Sequence, residues 1–414
     1  MDKRTVLAFG LIAVVFFAWS YFFGPDPQPT TAVDSTAITS KTPTPQQTPI
    51  LTDTAVAREP LPARYAPLAS GANRYITVET PLYKAILNSR GGTLARFELK
   101  KYKTWYGAPV QLISDSPGFP GVLGIEYTSR DGKLVDTDNL NYSIEAPADL
   151  SLGVNDSIVV VARLDLAATG SSDASDSTNA ADTTNTAADT NASSAGRIEK
   201  RFVFHGNTYA MGFSVAMQNM ASEIGDGSYR VTWENGLKYQ EHNSVDESSK
   251  AKVMIATGDE ILTVDATSTD EPTRDTARGP IQWIGITSKY FVAALRPLTP
   301  LTDATVMVEG VNRPADSGGQ VETYDVDVRL PYRDALQVQS FALLVGPLDY
   351  DLAKDFGVAE MVDFGWDFIV RPIGEYVMLP FFQFLHTFIG NFGIVIIVFS
   401  LVIRLLLWPL SIPQ

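Results

Sequence analysis

The chain has no cysteine. That excludes disulfides, cysteine-ligated metals and a thiol nucleophile. Histidine is nearly as scarce: His205, His242 and His386 stand far apart, and no two have the i, i+4 spacing of a zinc-binding helix. Basic residues are outnumbered, 32 Lys and Arg against 47 Asp and Glu, for a net charge of −15. A nucleic-acid-binding surface would need basic clusters, so no nucleic-acid partner is expected. The GxSxG, GxxxxGK[ST], GxGxxG and HExxH patterns are all missing. Neither an enzyme nor a cofactor site is expected.

Apolar residues are concentrated at the two ends. Val6 to Phe23 runs 18 residues without a charge, after Lys3 and Arg4. That length spans a bilayer, and the basic flank predicts the N-terminus in the cytoplasm. A cleaved signal peptide would end in small residues. This run ends in Trp19, Tyr21, Phe22 and Phe23, which suits an uncleaved anchor over residues 1–24 with an aromatic belt at the outer interface. Residues 25–70 follow, with six prolines in "GPDPQPTTAVDSTAITSKTPTPQQTPI" and few large apolar side chains. They read as an extended tether. Ser171 to Ala195 contains only Ala, Ser, Thr, Asn and Asp and reads as a disordered insert.

Between these segments, residues 71–346 carry a β pattern. In "NTYAMGFSVAMQN" Tyr209, Met211, Phe213, Val215 and Met217 alternate with small or polar residues, the period of a half-buried strand. "KRFVFHGNTYAMGF" reads as a hairpin with a Gly/Asn turn, and "YKAILNSRGGTLARFELKKY" as one turning at Gly91-Gly92. Short strands with turn signals between them predict a large antiparallel β-sandwich. Trp233 in "WENG" reads as a core tryptophan beside a turn, and Glu241-His242 as a solvated pair.

Residues 347–388 read as connector and helix. From Pro372 to Ile389 the chain is mostly apolar, with Glu375, Gln383, His386 and Thr387 within about 120° of one another on an ideal helix. A narrow polar stripe beside an apolar run fits a helix lying in a membrane interface, with Pro372 and Pro380 breaking or kinking it. A second span is predicted over residues 389–410. If the first span goes out, this one returns, and Arg404 lies roughly 9 Å from its cytoplasmic end. An arginine near a helix end can snorkel to the headgroups. "LLLWPL" beyond Arg404 sets it deeper than a flanking anchor, where a charge costs about 2.5–3.5 kcal/mol at the centre of a span.

Several of these stretches resemble the YidC/Oxa/Alb family of membrane protein insertases in its Gram-negative form. "MDKRTVLAFGLIAVVFFAW" resembles the family's first span. "SRGGTLARFELKKY", "IQWIGITSKYFVAALRP" and "LLVGPLDYDLAKDFG" resemble its periplasmic domain. The most specific stretch runs from "VDFGWDF" through "GNFG" to "RLLLWPL". The resemblance implies a membrane-anchored chain: a large all-β periplasmic supersandwich flanked by transmembrane α-helices, with an interfacial helix carrying Trp366, Glu375 and His386. It implies that Arg404 contacts substrate in a hydrophilic groove. The implied partners are nascent inner-membrane proteins, Sec translocon components and the lipid bilayer; the implied place is the inner membrane, multi-pass, with no metal. Set against the family, the chain stops at "SIPQ", residues 411–414, after the first core span. That predicts a truncated insertase, inactive alone. The alternative expectation is a two-span anchored β-sandwich that binds a sugar or a protein.

Overall fold

A computed structural model describes residues 61–166, 196–315, 318–364 and 370–411. The first anchor, most of the tether and the 171–195 insert lie outside the described residues. Nineteen strands are described, and their order in the chain is β1 (Tyr75–Glu79), β2 (Tyr83–Asn88), β3 (Thr93–Lys103), β4 (Pro109–Gln111), β5 (Gly124–Ser129), β6 (Leu134–Asp136), β7 (Ser143–Ile144), β8 (Asp149–Ser151), β9 (Ser157–Asp165), β10 (Arg197–His205), β11 (Ala210–Gln218), β12 (Ile224–Trp233), β13 (Lys252–Thr257), β14 (Glu260–Val264), β15 (Thr273–Thr287), β16 (Phe291–Pro297), β17 (Leu301–Ala315), β18 (Gly319–Pro331) and β19 (Leu336–Pro347). They form a five-stranded sheet in the order β4-β3-β2-β1-β8 and a fourteen-stranded sheet in which β6-β5-β12-β18-β17-β15-β16-β19-β11-β10-β9-β7 follow one another and β13 and β14 branch from β15.

The expected alternation builds the core. Tyr209, Met211, Phe213, Val215 and Met217 are all buried, because period 2 sends every second side chain inward. β11 pairs with β10 and β19 so that Phe213 lies opposite both Phe202 and Phe341. The three rings make a row across the sheet, 5.2 and 6.0 Å apart, within the range of favourable aromatic pairs. Gly91 and Gly92 turn β2 into β3 with φ of +76° and +57°, a region open to glycine without strain. Trp233 is buried and its Nε1 donates to the Gly236 carbonyl at 2.9 Å.

Two features depart from expectation. β1 and β8 pair in parallel, so the sandwich is not wholly antiparallel. The folded domain also begins before residue 71. Tyr65 is buried, its hydroxyl donates to Glu223 at 2.6 Å, and Arg64 pairs with the same carboxylate at 3.2 Å. An aromatic ring and a charged pair anchor what composition alone marked as tether.

The two sheets are joined by a lysine. Along β10 the inward positions are Ile198, Lys200, Phe202 and Phe204, so the alternation places an ammonium in the core. Lys200 is fully buried, donating to the carbonyls of Gly91 (2.6 Å) and Leu123 (2.8 Å) and lying 5.1 Å from the Tyr142 ring centre. Burial pushes its pKa down, and the nearby Asp138 carboxylate resists that shift. Burial pushes Asp138 up, against the pull of Lys200.

Candidate functional site

Helix α1 (Ala66–Ala69) and helix α2 (Ser244–Ser248) are short turns within the β domain. The C-terminal helices are the candidate site. The chain leaves β19 into α3 (Tyr350–Phe356). The Asp349 carboxylate accepts from Leu352 N at 3.0 Å, and Gly357 closes the helix at φ +85°. These are the acidic N-cap and glycine C-cap that satisfy free backbone groups at helix ends. After a short 3₁₀ turn, α4 (Val370–Ile373) begins, followed by a π-helical turn at Gly374–Met378 and then α5 (Leu379–Phe388). The interfacial helix was expected to carry Trp366, but Asp363 and Phe364 before it are not helical and Trp366 lies outside the described residues. Pro372 sits in the first turn, where its missing N–H costs nothing. Pro380 comes two residues after the end of the π turn. A proline has no N–H for the carbonyl four residues back and its ring crowds that carbonyl, and a widened turn relieves both.

The polar stripe has two sets of partners. Glu375 accepts a hydrogen bond from the Tyr350 hydroxyl and pairs with Arg371 at 3.8 Å. The bond to Glu375, with burial second, pushes the Tyr350 phenol up to about 12. Gln383 donates to Asp351 at 3.0 Å, and Arg371 donates to the Ala359 carbonyl at 3.0 Å. Half of the stripe therefore clamps the helix to α3. The other half turns onto its own chain. His386 Nδ1 lies 3.1 Å from the Ile389 carbonyl and its ring stacks on Phe392 at 4.0 Å, while the Thr387 hydroxyl donates to the Phe384 carbonyl at 2.7 Å.

α6 (Phe392–Ser411) follows the Gly390-Asn391 step. The Asn391 carboxamide oxygen accepts from Gly393 N at 2.8 Å. α6 packs back on α5 through Phe399, whose ring lies 4.7 Å from Phe382 and 5.6 Å from Phe381. Val395 is buried in the seam. Tyr376, Phe388 and Ile397 are 74%, 76% and 68% exposed. Side chains of α6 are described only to Leu405, and among the described residues no helix is long and apolar enough to cross a membrane. Arg404 is exposed. At 100° per residue it lies about 140° from Phe399 and 180° from Val395, on the face away from the seam. The structure thus brings Glu375 to α3, leaves His386 against α6, and brings neither to Arg404. The Tyr350 and Asp351 partners of the stripe were missed by the sequence reading; they lie 25 and 32 residues from Glu375 and Gln383, too far for a helical period to show.

A second concavity opens on the large sheet, a cleft of about 410 Å³ lined by Glu126, Glu234, Asp275, Glu309, Asp325 and Asp327 with Arg230 and Arg274. Arg230 bridges Glu126 at 3.1 Å and Asp327 at 3.6 Å. Burial outweighs that pairing and pushes Glu126 up to about 7. No aromatic ring lines the cleft, so it offers no stacking platform for a sugar. Glu241 and His242 do not line it; His242 packs edge-on against Trp105 at 4.8 Å.

The class defined by these parts is a β-sandwich domain continued at its C-terminus by a clamped helix and an apolar helix with one outward arginine. The profile of the family described as the YidC periplasmic domain matches residues 75–165 and 167–376. The chain belongs to the YidC family. It is 28% identical to the membrane protein insertase YidC of Pelodictyon phaeoclathratiforme and 29% identical to that of Chlorobaculum tepidum, each over 99% of this chain and 65% of the relative. The chain thus spans about two thirds of the length of these curated relatives. Among solved structures, a galactose mutarotase related enzyme from Lactobacillus acidophilus aligns over 66% of this chain and 97% of its own, at 10% identity and a TM-score of 0.36. That likeness is too weak to carry a function.

Proposed function

We propose that this chain belongs to a membrane protein insertase of the bacterial inner membrane, with the β-sandwich in the periplasm. Residues 1–24 and 389–410 are its spans in this reading, and α4–α5 lies in the outer interface. Its substrates are nascent inner-membrane proteins, taken alone or beside the Sec translocon. The observation that supports this most is the position of Arg404, on the face of α6 that the α5 seam leaves free.

The chemistry follows from the dielectric. In water a charge pair at 4 Å gains about 1 kcal/mol, and several times that in a partly desolvated groove. A guanidinium there retains water and attracts carboxylates of a short substrate tail. The tail crosses partly solvated, and the substrate's apolar segment leaves for lipid, driven by its removal from water. No nucleotide is required, since burial supplies the free energy.

The test is insertion of a single-span substrate with an acidic tail into proteoliposomes that hold the whole insertase. Arg404→Ala is expected to lower insertion about tenfold, the loss of one partly buried charge contact of about 1.4 kcal/mol. Arg404→Lys is expected to retain most of it. Unchanged insertion by the alanine variant would remove Arg404 from the mechanism.

A further inference from the structure

Residues 61–364 expose five aromatic side chains among the described residues: Tyr75, Tyr102, Trp105, Tyr106 and Tyr290. Four of them lie on the β3–β4 tip and the β15–β16 turn. Tyr102 is next to last in β3, Trp105 and Tyr106 form the tip between β3 and β4, and Tyr290 stands in the turn between β15 and β16. Tyr102 packs edge-on to Phe291 at 5.9 Å, and Tyr290 lies 6.4 Å from the same ring. Trp105 meets Tyr106 at 5.2 Å, yet the two remain 59% and 62% exposed. The tip is firmly built. Thr104 N donates to the Ala108 carbonyl at 2.8 Å, Gly107 N to the Thr104 carbonyl at 2.9 Å, and Ala108 N to the Thr104 hydroxyl at 3.1 Å. Its rings are presented on a closed turn.

In a chain of net charge −15, this corner gathers four lysines. Lys100, Lys101 and Lys103 lie on β3, and Lys289 precedes Tyr290. Lys100 pairs with Glu79 and Lys289 with Asp246. Lys101 and Lys103 are exposed, with no ion pair among the described residues.

The corner also sits where the chain departs for the C-terminal helices. Phe291 pairs with Pro347 at the end of β19, and Leu348 N donates to the Tyr290 carbonyl at 2.7 Å. Asp349, the cap of α3, is close enough to act on the Tyr102 hydroxyl; burial first and this carboxylate second push that phenol up. The next residues, Tyr350 and Asp351, hold Glu375 and Gln383 of the interfacial helix. The opposite end of the sheet, by contrast, exposes aliphatic Leu336 and Val338.

Trp and Tyr favour the headgroup level of a bilayer, where one part of the ring is apolar and the other wet. Lysines near an anionic leaflet are attracted by about 1 kcal/mol each. We propose that the Tyr102–Trp105–Tyr106–Tyr290 corner, with Lys101 and Lys103, rests on anionic phospholipid headgroups of the outer leaflet. The contact sets the β-sandwich upright on the membrane beside the interfacial helix. It rests on the reading of α4–α6 as membrane-embedded.

The experiment uses the absence of native cysteine. Single variants Pro109→Cys, Val338→Cys and Ile397→Cys are labelled with an environment-sensitive fluorophore. The full chain is reconstituted in phosphatidylcholine vesicles, with or without phosphatidylglycerol, containing lipid with nitroxides on the headgroup and along the acyl chain. The label at 397 is expected to be quenched in both vesicles and that at 338 in neither. The label at 109 is expected to be quenched with phosphatidylglycerol, and about threefold less without it, after Lys101→Glu with Lys103→Glu, or after Trp105→Ala with Tyr106→Ala. Quenching at 397 without quenching at 109 overturns this contact alone. No quenching at 397 overturns the membrane reading beneath it. A label at 109 shielded from aqueous iodide but untouched by lipid quencher means a protein covers the corner, and the lipid contact is wrong.

Discussion

The β-sandwich and the C-terminal helices handle polarity in opposite ways. In the sandwich most apolar residues are inside, and Lys200, the one lysine buried among the described residues, is tied to two carbonyls. In α5 no residue is buried, Phe384 and Phe388 are exposed, and the arginine of α6 faces away from the helix pair. The first arrangement is stable in water; the second exposes rings and aliphatic chains that a bilayer would solvate. The contrast teaches that the same residue types report their solvent once their placement is known.

The largest expected effect comes from emptying the buried charge site. Lys200→Ala leaves two carbonyls and Asp138 without their cation, and should cost about 3–5 kcal/mol in urea unfolding followed by tryptophan fluorescence. Lys200→Met fills the space and should cost clearly less. A comparable loss in both would show that shape, not charge, holds the sheets together.

One substitution made in both regions sharpens the comparison. Phe213→Ala should destabilise the sandwich by about 3–5 kcal/mol. Phe399→Ala should cost only about 1 kcal/mol in vesicles, because lipid replaces the lost apolar contact and only packing is forfeited. Equal losses in vesicles would mean the α5–α6 seam is a water-driven core.

pH gives a smaller effect. Glu126 holds its proton in the folded state up to about 7, against an ordinary 4.5. The folded state therefore binds more protons between these values, and stability falls as pH rises through that window. Glu126→Gln should flatten the fall and raise stability above pH 7 by about 1–2 kcal/mol. An unchanged slope in pH-dependent melting would move its source elsewhere in the cleft. Smallest is Tyr350→Phe, which removes the bond to Glu375 and should loosen the helix clamp by about 1 kcal/mol, read as faster amide exchange in α4–α5.

Much of the sandwich is legible in residue order. The inward row of β11, the Gly91-Gly92 turn and the Trp233 turn are all local signals of period 2 or positive φ. Lys200 was readable by the same rule, since it occupies an inward position of β10 between Ile198 and Phe202, but a lysine is usually read as solvated. The parallel β1–β8 pair and the burial of Tyr65 depend on contacts about 70 and 158 residues away, beyond any local pattern. In the helices the order marks Arg404 and the polar stripe. It did not show that Tyr350 and Asp351 of α3 would hold Glu375 and Gln383 while His386 turns to Ile389 and Phe392.

The most direct test of the account is site-specific photo-cross-linking during insertion of a substrate with an acidic tail. Ser400 lies about 40° from Arg404 on α6, whereas Phe399 lies in the seam. A photoreactive residue at 400 should capture the nascent chain, and Arg404→Ala should abolish most of that product, while a probe at 399 captures little. Equal capture from both faces, or capture at 400 that ignores the loss of the arginine charge, would contradict a substrate-facing role for this helix.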